Sequence, residues 1–158
     1  MNTDAHSASE RSQPESRHGA REAAVQMLYQ WEVGRAPIEE VRRTYWANAP
    51  EGVPLSDDLR EFATSLATGT VEHVAALDPL ITDAAEHWRI ERMNVLDRLI
   101  LRLAVYEFLH QAETPQPVVI DEALELAKRF STPEAVKFIN GVLEGVRKRL
   151  APDARTRV

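Results

Sequence analysis

The chain contains no cysteine, which excludes disulfides, thiolate nucleophiles and zinc sites built on Cys but does not identify the compartment. It lacks any apolar run long enough to cross a bilayer, so a soluble protein with no membrane partner is expected. Residues 1–16 are polar, rich in Ser and Glu, and lack the apolar segment that secretion requires. A cytoplasmic location is the expectation. No alternating apolar and polar stretch of strand length occurs, and no internal repeat has a convincing period. Positive charge is scarce too: 19 Lys and Arg stand against 25 Asp and Glu, a net charge of −6. That balance argues against a generic polyanion-binding surface and leaves room for a local one.

What is present is helical periodicity. A chain of 158 residues with 44% hydrophobic content can bury a real core, in one domain or two small packed bundles. The expected class is all-α, with about seven helices in two packed bundles. Residues 1–16 read as a disordered tail because they offer almost nothing to bury. Residues 17–77 then form an N-terminal bundle, 78–150 a C-terminal bundle, and 151–158 a flexible tail. Ala20, Ala24, Met27 and Trp31 share the face of a first helix, which Gly34 and Pro37 end. Ile38, Val41, Tyr45 and Trp46 make a shorter second helix that stops before Pro50, and residues 51–54 read as loop. Ser56 caps a long third helix with Leu59, Phe62, Ala63, Leu66 and Val74 buried. Asp78 and Pro79 repeat a cap-then-proline signal, opening a helix through Leu80, Ile81, Ala84 and Trp88.

The helix from Asn94 to Gln111 is apolar on more than one side. Leu96, Leu99, Ile100, Leu103 and Tyr106 make one stripe; Leu101, Val105 and Phe108 lie nearly opposite, edged by Asp97 and Arg98. It reads as a central helix surrounded by neighbours or as a docking face for a partner protein, and the two can coexist with the Asp97 end of the second stripe exposed and the Phe108 end buried. Pro115 and Pro117 break the chain before a terminal hairpin. Its first helix carries Val119, Ala123, Leu126, Ala127 and Phe130 on one side, with Glu125 placed to pair with Lys128 or Arg129. Thr132 and Pro133 start the last helix, whose buried stripe is Val136, Ile139, Leu143, Val146 and Leu150. At about 100° per residue, Phe138 lies roughly 110° from the centre of that stripe and Lys137 further round. Both face away from the hairpin core.

These positions carry plausible chemistry for nucleic acid. Arg17 and Arg21, four apart on a helix, present two guanidinium groups along one edge, suited to successive phosphates; a solvated helix start is the plainer alternative. Phe138 beside Lys137 offers a ring for base stacking and a charge for phosphate, or else packs at the margin of the stripe. The Glu134 carboxylate can accept from the exocyclic amine of a base, or simply favours the positive end of its own helix. Gly141 and Gly145, four apart, would let another backbone approach closely.

Five segments in order, Arg21-Glu-Ala-Ala-Val-Gln-Met-Leu-Tyr29, Trp88 with Arg92, Ile100-Leu-Arg-Leu-Ala-Val-Tyr-Glu107, Val119-Ile-Asp-Glu-Ala-Leu-Glu-Leu-Ala-Lys128 and Lys137-Phe-Ile-Asn-Gly-Val-Leu143, together resemble the NusB family of transcription antitermination factors. The resemblance covers nearly everything from Arg17 to Leu150. It implies a small helical adaptor, not an enzyme and without cofactor or metal, that pairs with ribosomal protein S10 (NusE). It further implies binding to boxA-type single-stranded RNA of nascent ribosomal transcripts and help in loading an antitermination complex onto RNA polymerase. By position, Arg17, His18 and Arg21 match the basic segment that approaches RNA, and Glu134, Lys137 and Phe138 match a second RNA-contacting patch. Tyr29, Asp97 and Arg98 look like positions near the protein partner, with Asp97 able to pair with a basic residue of S10. This chain departs from the family in one respect: residues 1–35 hold four arginines, no lysine and five acids. The lone subunit should bind RNA weakly, with S10 supplying more of the charge. Arg147, Lys148 and Arg149, with Arg155 and Arg157, are a possible compensation.

Two other classes deserve comparison. Glu107 and His110 have the Glu-x-x-His spacing of di-metal bundles, but a second such pair is missing, so a hydrogen-bonded buried Glu107 is the better reading. His87 and Glu91 read as a surface pair rather than metal ligands. A similar helical domain precedes some RNA methyltransferases, and an accessory module for such an enzyme is the alternative function. No glycine-rich cofactor loop follows Leu150.

Overall fold

The computed structural model describes residues 2–48, 55–86 and 88–150, with side chains from Arg17 onward. Among these residues the elements are α1 (Asn2–Glu32), α2 (Ile38–Ala47), α3 (Asp57–Glu72), α4 (Val74–Ala84), a 3₁₀ turn (Ile90–Arg92), α5 (Val95–His110), α6 (Gln116–Phe130) and α7 (Pro133–Leu150). No strand is found among them, as the missing alternation requires. The chain forms two compact units, Met1–Thr68 and Gly69–Val158. The division falls inside α3, whereas the expected bundles meet at residues 77 and 78. A helix that belongs to both units leaves no breaker at the boundary to be read.

In the first unit, α1 is helical from Asn2, so it continues back through the segment whose composition reads as a disordered tail. Helical hydrogen bonds are internal to the segment and need no core behind them. Burial begins at Ala20 and continues through Ala24 and Met27, the expected face, with Trp31 only partly covered. α1 stops at Glu32, and the left-handed residue after it is Arg35, with φ of 56°, rather than Gly34. α2 packs on α1 through Val41. The Ser56 hydroxyl accepts from the Leu59 N–H at 3.3 Å, the cap expected for α3. The loop at residues 51–54 lies outside the described residues, as do His87, with its pairing to Glu91, and Arg155 and Arg157.

The second unit is organised around α5, which packs against α4, α6 and α7. Asn94 caps it by accepting from the Leu96 N–H at 3.0 Å, and Leu99, Ile100, Leu101, Leu103 and Val105 are all buried. The middle of each apolar stripe is therefore covered inside the chain. Leu101 and Val105 of the second stripe are fully buried and Phe108 half-buried, and Asp97 at its end is only 8% exposed, not open to solvent as expected.

The reading of α3 and α4 needs correction. α3 ends at Glu72, and Val74, assigned to its buried stripe, instead opens α4. The His73 N–H still reaches Gly69 and Thr70 carbonyls at 3.1 and 3.2 Å, so the break is a slight change of direction with no sequence signal. Asp78 is not a cap and Pro79 sits inside α4. The Asp78 carboxylate instead takes two hydrogen bonds from the Arg102 guanidinium, both 2.8 Å, and α4 ends at Ala84 with Trp88 beyond it.

The terminal hairpin follows expectation. Thr132 Oγ1 accepts from the Ala135 N–H at 3.1 Å and Lys128 pairs with Glu125 at 3.1 Å. Ile139, Leu143 and Val146 are buried, and Ala135 and Val142 join them. Of the two outer glycines, Gly145 allows the close approach of Ala84, whose Cβ would lie 3.2 Å from an added methyl, while Gly141 faces open space.

Candidate nucleic-acid interface

The basic start of the first unit is less exposed than helical spacing alone suggests. Arg17 faces solvent with its guanidinium 5.3 Å from the Phe62 ring centroid. Arg21, 5.7 Å from the same ring, is only 3% exposed. The two are not a pair of open guanidinium groups: one is available to a phosphate, and the other is buried beside the same ring. Apolar stems and flat guanidinium faces let arginine do this while remaining charged. His18 is half-buried and lies 3.1 Å from Glu22. Further along α1, Tyr29 is 41% exposed and is followed one turn later by Val33, also exposed.

In the second unit, Glu134 and Lys137 are exposed on the first two turns of α7, and Phe138 is half-buried. The sequence reading missed what covers Phe138. Its ring lies 6.1 Å from that of Trp88, tilted by 58°. Trp88 stands outside α4 because Glu86 takes a left-handed φ of 55°, which swings the chain out of the helix. A glycine or asparagine there would have signalled the turn; a glutamate does not.

Asp97 and Arg98 brace this region from beneath. The Ser131 hydroxyl donates to Asp97 Oδ1 at 2.6 Å, tying the start of α5 to the turn between α6 and α7. Arg98 Nη1 reaches the carbonyls of Ile90 and Met93 at 3.3 and 3.5 Å, holding the segment that follows Trp88. At the far end of α7 the basic run is partly engaged. Arg149 donates to the carbonyls of Asp83 and Gly145 at 2.9 and 3.3 Å, and Arg147 lies 3.8 Å from Glu144.

The Glu107–His110 spacing does not converge on a common point. Glu107 is buried, whereas His110 is exposed and stacks on Tyr106 at 4.7 Å, with His73 4.3 Å from His110 and 5.6 Å from Tyr106. Among the described residues no three His, Asp or Glu side chains are grouped to hold a metal ion. Nor is any described helix long and apolar enough to cross a membrane. The Tyr106 hydroxyl rests against Gly69, and burial, then the Glu72 carboxylate, raise its pKa. Burial, then Glu22, do the same to Tyr45, whose hydroxyl donates to the Gln26 side-chain carbonyl.

Comparison with known proteins gives the family of the chain. The chain is 48% identical over 147 residues to the transcription antitermination protein NusB of Solibacter usitatus (strain Ellin6076), covering 89% of this chain and 97% of that one. It is 45% identical to the protein of the same name from Koribacter versatilis (strain Ellin345), over 85% and 90% of the two chains. Among solved structures it resembles T. maritima NusB, with a TM-score of 0.76 at 33% identity over 90% of this chain and 97% of that one. It also resembles a chain from a crystal structure of antitermination factors NusB and NusE in complex with dsRNA, with a TM-score of 0.74 at 27% identity over 85% and 98% of the chains. The model of the NusB family matches residues 18–148, nearly the whole described structure, and the chain belongs to that family.

Proposed function

We propose that this protein is a non-enzymatic antitermination adaptor, acting in the cytoplasm, that pairs with ribosomal protein S10 (NusE) and binds boxA-type single-stranded RNA of nascent ribosomal transcripts. In that role it helps assemble the antitermination complex on RNA polymerase. The observation that carries the reading is family membership over residues 18–148, joined to likeness with a NusB crystallised together with NusE and RNA.

The side chains divide the work between charge, stacking and partner contact. Arg17 and Lys137 are exposed cations for phosphates, with His18 beside the first. Arg21, buried beside Phe62, adds positive charge behind Arg17. Phe138 supplies an aromatic face at the corner, and the Glu134 carboxylate, one helical turn earlier, accepts from a base amine. On the partner side, Tyr29 and Val33 offer an exposed apolar ledge to S10. Asp97 and Arg98 shape the region through Ser131 and the carbonyls of Ile90 and Met93. With so few cations, the protein alone has little means of holding a polyanion, and S10 brings the remainder.

Titration of boxA-type RNA with the protein, with and without S10, at two salt concentrations tests this. Binding should be weak alone, strengthen with S10, and weaken at higher salt. Equally weak binding in both cases would overturn the proposal.

A further inference from the structure

Trp88 is more exposed than any other large apolar side chain among the described residues, at 54%. The surrounding backbone holds it there. Ala85 closes α4 by donating to the Ile81 carbonyl, Glu86 turns left-handed, and the Trp88 N–H reaches back to the Ala85 carbonyl at 3.2 Å. After it the chain runs extended through Arg89 into the 3₁₀ turn, where Ile90 and Met93 are buried and Arg98 grips their carbonyls. A segment anchored on both sides of an outward-facing indole fixes that ring against the usual drive to bury it.

The geometry points to Trp88 as a base-stacking residue: with Phe138 it forms a two-ring ledge that takes one unpaired base of a single-stranded RNA on the outer face of the indole. This rests on the RNA-binding reading above and extends it. The centroids, 6.1 Å apart and tilted by 58°, leave no room for a base between the rings, since that needs two stacking steps of about 3.4 Å and parallel planes. Phe138 therefore backs the indole, and the open face belongs to Trp88.

The surroundings favour RNA over a protein partner. A protein hot spot is ringed by energetically near-neutral contacts that exclude water. Trp88 is instead followed by exposed Arg89, Glu91 and Arg92, and Phe138 is preceded by exposed Glu134 and Lys137. Exposed Glu86 lies on the other side. The cations suit phosphates and the carboxylates suit base amines, while net attraction is small. Stacking must then provide most of the local affinity, and it is the contact that exposed indole makes well.

The test uses the full chain with S10 and the same RNA. Trp88→Ala should weaken RNA binding by about 5- to 100-fold, the range for loss of one stacked base. The salt dependence and the affinity for S10 should stay unchanged. Trp88→Phe should retain most of the binding. RNA should quench the intrinsic tryptophan fluorescence of the wild-type complex, and this quenching should largely disappear in Trp88→Phe, although Trp31 and Trp46 remain. Wild-type affinity in Trp88→Ala, or undiminished quenching in Trp88→Phe, would overturn the inference. So would a loss confined to S10 binding, which would make Trp88 a protein contact. If the wild-type complex does not bind RNA, the broader functional reading fails and this inference with it.

Discussion

The hydroxyl of Ser131 donates a 2.6 Å hydrogen bond to the carboxylate of Asp97, fastening the start of α5 to the turn from which α7 springs. Asp97 is thereby a positioning residue for the Glu134–Phe138 corner, whether or not it also reaches a partner. Hydrogen bonds to charged groups contribute about 1.5–3 kcal/mol. Ser131→Ala should lower stability by about that amount, read by denaturant unfolding, and Asp97→Asn by less because an acceptor remains. Comparing S10 affinity separates the roles: direct pairing with S10 predicts that only Asp97→Asn weakens it, whereas a purely positioning role predicts that both variants behave alike.

Arg17 and Arg21 share Phe62 but differ in exposure, and the two should respond differently to removal. Arg17→Ala should reduce the slope of log affinity against log salt by about 0.7, the single-strand value for one phosphate contact, with stability almost unchanged. Arg21→Ala should lower stability by about 1–2 kcal/mol through loss of the partly desolvated cation–ring contact. A loss of about 0.7 in salt slope in Arg21→Ala with no loss of stability would contradict this division.

Gly69 lies in α3 with the Tyr106 hydroxyl directly against its Cα face, so any Cβ there would collide with the phenol. Gly69→Ala should cost about 1–3 kcal/mol despite the better helix propensity of alanine. An unchanged unfolding midpoint would mean the ring moves aside freely.

The same phenol predicts behaviour in alkali. Burial first, then the Glu72 carboxylate, raise its folded-state pKa above the ordinary 10.0. The folded protein then holds the proton more tightly than the unfolded chain, so stability is undiminished below pH 10 and falls as pH rises through the raised value. In Tyr106→Phe this part of the alkaline decline should be absent, leaving the contribution of Tyr45, whose pKa is raised for the same leading reason. Unfolding curves between pH 8 and about 11 measure both.

Arg102 and Asp78 form a two-pronged ion pair with the guanidinium nearly buried. Arg102→Ala should destabilise by about 3–5 kcal/mol, because the carboxylate loses its partner in a confined setting. The double substitution Asp78→Leu with Arg102→Met should recover much of that loss, since no charge is then left unpaired. Failure of the double variant to exceed the single one in stability would show that the pair's geometry, rather than its charge, holds α4 on α5.

Much of this fold was legible because its rules are local. The apolar periodicity of α5, α6 and α7, the Asn94, Ser56 and Thr132 caps, and the absence of strand alternation all follow from residues a turn or two apart. Family membership was legible for the same reason, being five short segments in order. The Val74 and Asp78–Pro79 readings failed where local signals compete: a proline was tolerated inside α4 and an aspartate was taken by a distant arginine.

Exposure was the quantity that only tertiary structure decided. Helical spacing placed Arg17 and Arg21 on one edge and both lie over Phe62, some forty residues away, but folding buries the second and leaves the first in solvent. Periodicity put Asp97 at the end of an outer stripe, and Ser131 and the packed neighbours of α5 closed it over. Trp88 was read as the end of a helix, and a left-handed glutamate before it turned it outward. A sequence specifies which way a side chain points from its own helix; whether solvent, a ring or another helix waits there depends on residues brought close by folding.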